Sequence, residues 1–276
     1  MNRREFGVTA AACVVSSLLG SRSERNCFAE VTKSKIKAIA FDAFPIFDPR
    51  PVFALAEELF PGKGSALSEE WRVRQFEYTW LRTAARRYLD FWHVSQDALV
   101  FAAKKVNLLL TPRKRAQLMN AYLELAVWPD VPSALDQLKK SGFRLVFLSN
   151  LTSRMLAANV KRAGLDGVFE LALSTDLAKT YKPDPRSYQL GIDALKLKRE
   201  EILFAAFAGW DAAGAKLFGY PTFWVNRLKL PAEELGAVPD ASGDSLTQLV
   251  QFLAWMPGRR DGNAVFTAHQ NDRRSS

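Results

Sequence analysis

Five short apolar runs punctuate the chain: Ile36–Phe41, Phe143–Leu148, Val168–Leu173, Ile202–Ala208 and Thr222–Val225. Their length and continuous hydrophobicity predict strands buried on both faces. Between the later runs the apolar period lengthens to that of an amphipathic helix. Asp130 caps a predicted helix through Lys140, with Pro132 in its first turn and Gly142 just past its end. Ser153 opens a second through Ala163, closed by Gly164. Pro185–Leu195 is a third and Ala212–Phe218 a short fourth. Strand alternating with helix predicts an α/β fold with a Rossmann-like parallel sheet.

One region breaks the alternation. From Pro51 to Val127 no strand pattern occurs, and three long helical stretches follow one another: Leu67–Leu89, Ser95–Val106 and Thr111–Ala126. Thr111 followed by Pro112 is a good helix start. Helices alone, inserted after the first strand, predict an all-helical cap subdomain. The expected plan is an α/β core of residues 30–49 and 128–250, a helical cap of 50–127, and a tail of 251–276. That tail turns strongly polar from Arg259 and is expected to be disordered. No internal repeat is visible.

The first twenty residues, MNRREFGVTAAACVVSSLLG, pair Arg3 and Arg4 ahead of an uncharged apolar run. The pattern resembles a bacterial twin-arginine export signal. The run is shorter than the ~20 residues a membrane span needs. Ala29 before Glu30 offers a cleavage site, which makes residues 1–29 a signal and the expected location periplasmic. The competing reading is an uncleaved membrane anchor; after cleavage no stable anchor is expected. Cys13 and Cys27, the two cysteines, both fall in that segment, so the mature chain would lack thiol chemistry and disulfides.

The net charge of +9 permits a nucleic-acid binder. No basic tract supports one: Arg82, Arg86 and Arg87 lie beside aromatics at helical spacing, as on a solvated helix face. No nucleic-acid partner is expected, and steep salt-dependent DNA binding would overturn that reading.

Polar residues stand where apolar runs stop. Asp42 follows the first run, Ser149 and Asn150 follow FRLVFL, Asp211 closes ILFAAFAGWD, and Lys182 lies in the loop YKPDPRSY after another run. A lone aspartate there is most simply a turn or cap residue. Several polar groups at the carboxyl ends of parallel strands should meet on one sheet edge, where open α/β folds bind ligands. Two carboxylates and a substrate anion would oppose one another unless compensated, and Lys182 and Arg72 are the available cations.

The segments FDAFPIFD, FLSN, YKPDPRSY and WDAAGA, in this order, resemble the haloacid dehalogenase superfamily. EEWRVRQFEYTWLR at Glu69–Arg82 is similar to the cap of the L-2-haloacid dehalogenases, and the likeness spans about Lys35 to Leu249. The resemblance implies hydrolysis of short L-2-haloalkanoic acids with inversion, through an aspartyl ester. It makes Asp42 the nucleophile and Arg72 the receiver of halide. Ser149 and Asn150 would bind nucleophile and substrate carboxylate, with Lys182 beside the nucleophile and Tyr188 next to it. Asp211 would be the acid near the hydrolytic water. Phe44, Phe76, Phe91 and Trp210 would form the apolar pocket. The implied partner is a small 2-haloacid, with no cofactor and no metal.

A phosphatase of the same superfamily is the rival reading. Such phosphatases carry a second Asp two residues after the nucleophile; here Phe44 stands there and offers neither proton nor oxygen ligand. Asp48 reads as a turn or cap residue. The chain also departs from its resemblance: Pro45 and Ile46 replace a glycine and a threonine, and Ala206 and Ala208 replace a serine and an asparagine. A dehalogenase-like small-carboxylate binding protein is therefore a second alternative. His93 and His269 lack partners for a metal or triad and read as structural or solvated. Trp80 and Trp92 suit either cap packing or an interface between the caps of a homodimer.

Overall fold

The computed structural model describes residues 36–256. The segment expected to be an export signal, both cysteines, His269 and the residues from 257 onward lie outside the described residues.

Six parallel strands form the main sheet: β1 (Ala38–Phe41), β4 (Arg144–Ser149), β5 (Leu171–Ser174), β6 (Ile202–Ala206), β7 (Thr222–Val225) and β8 (Ala241–Gly243). Their order is β5-β4-β1-β6-β7-β8, so the chain winds outward from β1 first one way and then the other. Every neighbouring pair is parallel. β1 is central, all four of its residues are buried, and β4 and β6 flank it in register. The reversal of strand order beside β1 opens the crevice in which such sheets hold ligands.

Alternation along the strands sorts the core onto two faces. Ile39, Phe41, Leu145 and Phe147 join one cluster with helices α5 (Val131–Lys140), α6 (Ser153–Arg162) and α9 (Leu246–Trp255). Ala38, Ala40, Val146 and Leu148 join the other with α7 (Pro185–Leu195) and α8 (Gly209–Phe218). Thr152, Asp184 and Ser245 cap α6, α7 and α9 through their side chains, as short oxygen-bearing residues at helix starts do.

A two-residue antiparallel pair, β2 (Phe47–Asp48) and β3 (Ala126–Val127), closes the base of the helical insertion. Between them lie α1 (Arg50–Leu59), α2 (Gly64–Ala84), α3 (Phe91–Lys105) and α4 (Pro112–Ala121). These four helices fill the stretch in which the cap is expected. The Trp71 indole donates to the Ser95 carbonyl at 2.8 Å, and Gln75 donates to the Ser95 hydroxyl at 2.8 Å. Both bonds fasten α2 to α3, leaving Phe76 and Phe91 directed toward the sheet edge.

Several boundaries differ from the sequence expectation. The third strand starts at Leu171 rather than Val168, because the positive φ of Gly167 makes a turn just before it and Val168 hydrogen-bonds back to Leu165. β6 stops at Ala206, two residues early, and α8 begins at Gly209, three residues before the expected Ala212. Asp211 thus sits in the first turn of a helix and not at the end of a strand. The β2–β3 pair and β8, of two and three residues, were too short to anticipate, and α1 was not anticipated either. α9 runs to Trp255, so residues 251–255 belong to a helix and not to the tail. His93 lies at the start of α3, where its ring nitrogen meets the capping Asp90.

Candidate active site

Three sheet-edge loops converge. Asp42 follows β1, and its amide donates to the Ala205 carbonyl at 3.0 Å, which anchors the turn to β6. Ile46 and Phe47 both donate back to the Ala43 carbonyl, so the chain reverses tightly after the carboxylate. The turn is braced from outside: the Trp128 indole donates to the Phe44 carbonyl at 2.9 Å, and the Arg227 guanidinium to that of Pro45 at 2.7 Å. Arg227 is buried and paired with Asp130 at 2.8 Å.

The two oxygens of Asp42 have different surroundings. Oδ1 receives the Lys182 ammonium at 2.8 Å and the Ser149 hydroxyl at 3.2 Å. Oδ2 receives the Phe44 amide alone, at 3.2 Å. Asp42 lines the cavity. The less engaged Oδ2 is the better nucleophile, since charge-assisted hydrogen bonds withdraw electron density from Oδ1.

Lys182 is 1% exposed and bridges two carboxylates, reaching Asp211 Oδ2 at 2.5 Å. Burial works to lower its pKa, but the charges of Asp211 and Asp42 outweigh burial and raise it. Two carboxylates share this one ammonium. Burial pushes Asp211 up to about 6, and Asp42 adds to the push while Lys182 opposes it. Tyr188, wholly buried, donates to Asp211 Oδ1 at 2.7 Å, and burial raises its own pKa far above the ordinary phenol. The N-terminal turn of α8 also favours the carboxylate.

Asn150 is oriented by its neighbours. Its Oδ1 accepts from the Lys182 amide at 3.1 Å and from Thr175 at 3.3 Å, which leaves Nδ2 as a donor on the cavity wall. Arg72, on α2, lines the same cavity, is exposed, and makes no ion pair among the described residues. Phe44 packs on Phe207 at 5.8 Å, and Phe76 on Trp210 at 5.2 Å. Phe44, Phe76, Phe91 and Trp210 all line the cavity, whose volume is about 360 Å³.

Asp42, Arg72, Ser149, Asn150, Asp211 and the aromatic residues predicted for the pocket all line this cavity. Tyr188 and Lys182 act from beneath it, through Asp211 and Asp42, and do not line the cavity. Of the departures, only Ala208 faces the cavity; Ile46 and Ala206 are fully buried in the two cores. Gln75, Tyr122, Phe207, Leu228, Leu230 and Glu233 also line the cavity and carried no sequence signal. The helical period of α2 could have shown Gln75, which lies one turn from Arg72. Asp48 ends β2 rather than lying in a turn; its carboxylate accepts the Arg50 amide at the start of α1 and pairs bidentately with the Arg50 guanidinium.

Known proteins agree with this geometry. The model of the haloacid dehalogenase-like hydrolases matches residues 25–219. The chain is 42% identical over 227 residues to an (S)-2-haloacid dehalogenase of Pseudomonas sp. (strain YL), covering 82% of this chain and 98% of that one. It is 37% identical to haloacetate dehalogenase H-2 of Moraxella sp. (strain B), covering 80% and 99%. Among solved structures, an L-2-haloacid dehalogenase superposes with a TM-score of 0.78 at 42% identity, covering 80% and 99%. The L-2-haloacid dehalogenase of Xanthobacter autotrophicus with chloropropionic acid covalently bound superposes at 0.73 and 31% identity, again covering 80% and 99%. A family match over most of the chain, 42% identity across nearly the whole of a relative and a superposition at a TM-score of 0.78 agree, and the chain belongs to the L-2-haloacid dehalogenase family of haloacid dehalogenase-like hydrolases.

Proposed function

We propose that the protein hydrolyses L-2-haloalkanoic acids to 2-hydroxy acids and halide through an ester on Asp42. The observation that carries this reading is the Lys182 ammonium held between Asp42 Oδ1 and Asp211 Oδ2. Asp42 Oδ2 attacks the halogen-bearing carbon from behind. The new C–O bond forms as the carbon–halogen bond breaks, with inversion, and Arg72 receives the halide. Asn150 Nδ2 and Ser149 hold the substrate carboxylate and the nucleophile. The aromatic walls exclude water from the carbon under attack.

In the ester, Oδ1 becomes the carbonyl oxygen. Lys182 and Ser149 already point at it and stabilise the charge that develops there when water adds. Asp211 takes the proton of that water, and Tyr188 holds Asp211 in place. The acyl C–O bond then breaks, Asp42 is regenerated with one oxygen from water, and the hydroxy acid leaves with the proton. Phe44 supplies no acid for a phosphate leaving group, which favours this reaction over phosphoester hydrolysis.

Halide release from L-2-chloropropionate, with none from the D enantiomer, tests the reading. Asp42→Asn should abolish it, and single turnover in ¹⁸O-water should label Asp42 and not the product. Mg²⁺-dependent hydrolysis of p-nitrophenyl phosphate that depends on Asp42 would overturn it. The binding-protein alternative draws on the apolar Ile46, Ala206 and Ala208, and it requires haloacid binding without halide release.

Export to the periplasm belongs to the same proposal and rests on Arg3, Arg4 and the apolar run that follows. Changing both arginines to lysine should retain uncut protein in the cytoplasm; undiminished periplasmic yield refutes it. A homodimer through the cap is supported by Trp80, 39% exposed beside Phe76 and Trp210. Trp92 is engaged within the chain under Arg154. Sedimentation of the protein with Trp80→Glu tests it.

A further inference from the structure

The cavity is larger than a three-carbon acid requires. At a liquid-like share of about 30 Å³ per non-hydrogen atom, its 360 Å³ holds about twelve such atoms, about twice the count in 2-chloropropionate. The wall that carries Asp42 also carries Phe207 and Ala208, where the side chain is only a methyl group, and residues of the loop after β7, with the Glu233 side chain near Gly209. There Leu228 is 39% exposed and Leu230 52% exposed, both on the cavity wall. Aliphatic side chains left open to water at the mouth of an apolar cleft bind apolar matter.

We propose that the preferred substrates are 2-haloalkanoic acids with an extended alkyl tail of roughly four to six carbons beyond the reacting centre. The tail lies past Ala208 and Phe207 on to Leu228 and Leu230. The halide and carboxylate ends keep the positions given above, beside Arg72, Ser149 and Asn150. This inference rests on the dehalogenase reading and deepens it. Each tail methylene laid on these side chains should raise kcat/KM roughly two- to fourfold until the cavity is full. Ala208 acquires a role in this account: a small residue there leaves the passage open.

The experiment measures halide release from the L-2-bromo acids from propionate to decanoate. The expected profile climbs to a maximum between hexanoate and octanoate, more than about tenfold above propionate. A steady fall in kcat/KM beyond propionate overturns the extended-tail assignment while leaving the reaction standing. No halide from any member overturns the reaction itself, and the tail assignment with it. Leu230→Asp and Leu228→Asp, at exposed positions that fold without difficulty, provide the second measurement. Each should lower the octanoate-to-propionate ratio of kcat/KM by more than about fivefold. An unchanged ratio in both overturns the proposed path.

Discussion

The replacement of polar groups near Asp211 should separate the two chemical steps in time. Alkylation draws on Asp42 Oδ2, Arg72 and Asn150, all of them in the cavity wall. Hydrolysis draws on Lys182 and Ser149 for the oxyanion, which are in place at 2.8 and 3.2 Å, and on a held water beside Asp211. The water-holding side is where the chain is depleted. Ala208 faces the cavity and offers no donor, whereas Ile46 and Ala206 are packed away from it. One effective loss at about 10²-fold is therefore expected, not the product of three. Rapid quench should show a halide burst near one equivalent per site, then a steady rate slower by about that factor. Intact mass should show one substrate adduct, mapped to Asp42. Ala208→Asn alone should accelerate the steady phase and shrink the adduct. Ala206→Ser should change little, since its side chain does not reach the cavity. Halide release that is linear from the first turnover, with no adduct, would refute the reasoning.

Acidification should slow ester hydrolysis, because Asp211 must be ionised to take a proton; the limb should lie below the value of about 6 that Asp211 has in the free protein, since the ester removes the Asp42 charge that helps raise it. Tyr188→Phe removes a donor to the ionised form, so the acidic limb should move to higher pH; single-turnover rates across pH check both. Lys182→Met leaves two buried carboxylates facing each other, and should cost about 3–5 kcal/mol of stability at neutral pH as well as activity. The deficit shrinks on acidification: the folded variant binds protons more tightly than its unfolded chain, so its loss of Tm should narrow between pH 7 and 5. Gly214→Ala places a Cβ 2.7 Å from both Pro183 Cβ and the Tyr188 hydroxyl. It should cost about 1–3 kcal/mol and depress turnover by displacing the partner of Asp211, readable by calorimetry and steady-state rates.

Much of the site is legible because charged residues at the ends of apolar runs are conspicuous. Asp42 and Ser149 each follow several consecutive buried residues, and parallel strands leave those ends on one edge. Asp211 was visible for the same reason, though its element was not. Glycine at the head of a helix and alanines in the preceding run blur the change of period, so ILFAAFAGWD reads as one strand. Other features depend on tertiary placement that no local pattern encodes. Leu228 and Leu230 sit in an irregular loop, and nothing in their spacing reveals that the loop borders the cleft. Arg227 likewise looks like any basic loop residue, yet it is buried between Trp128 and Asp130 and grips the Pro45 carbonyl. The departures at Ile46 and Ala206 looked equivalent to Ala208 in one dimension. The fold separates them by sending two inward to the cores and one outward.

The ammonium shared between two carboxylates makes the site self-timing. In the resting protein Asp42, Lys182 and Asp211 together carry one net negative charge, and Asp42 is among the causes that hold Asp211 up. Alkylation turns Asp42 into a neutral ester. The repulsion disappears, Lys182 is left to Asp211 alone, and the affinity of Asp211 for a proton falls. The base is therefore most completely ionised during the interval in which a water must be deprotonated. Once hydrolysis restores the Asp42 carboxylate, the same repulsion returns and raises the affinity of Asp211 for a proton again. The nucleophile thus sets the state of its own base, with no moving part between them other than the charge it gains and loses.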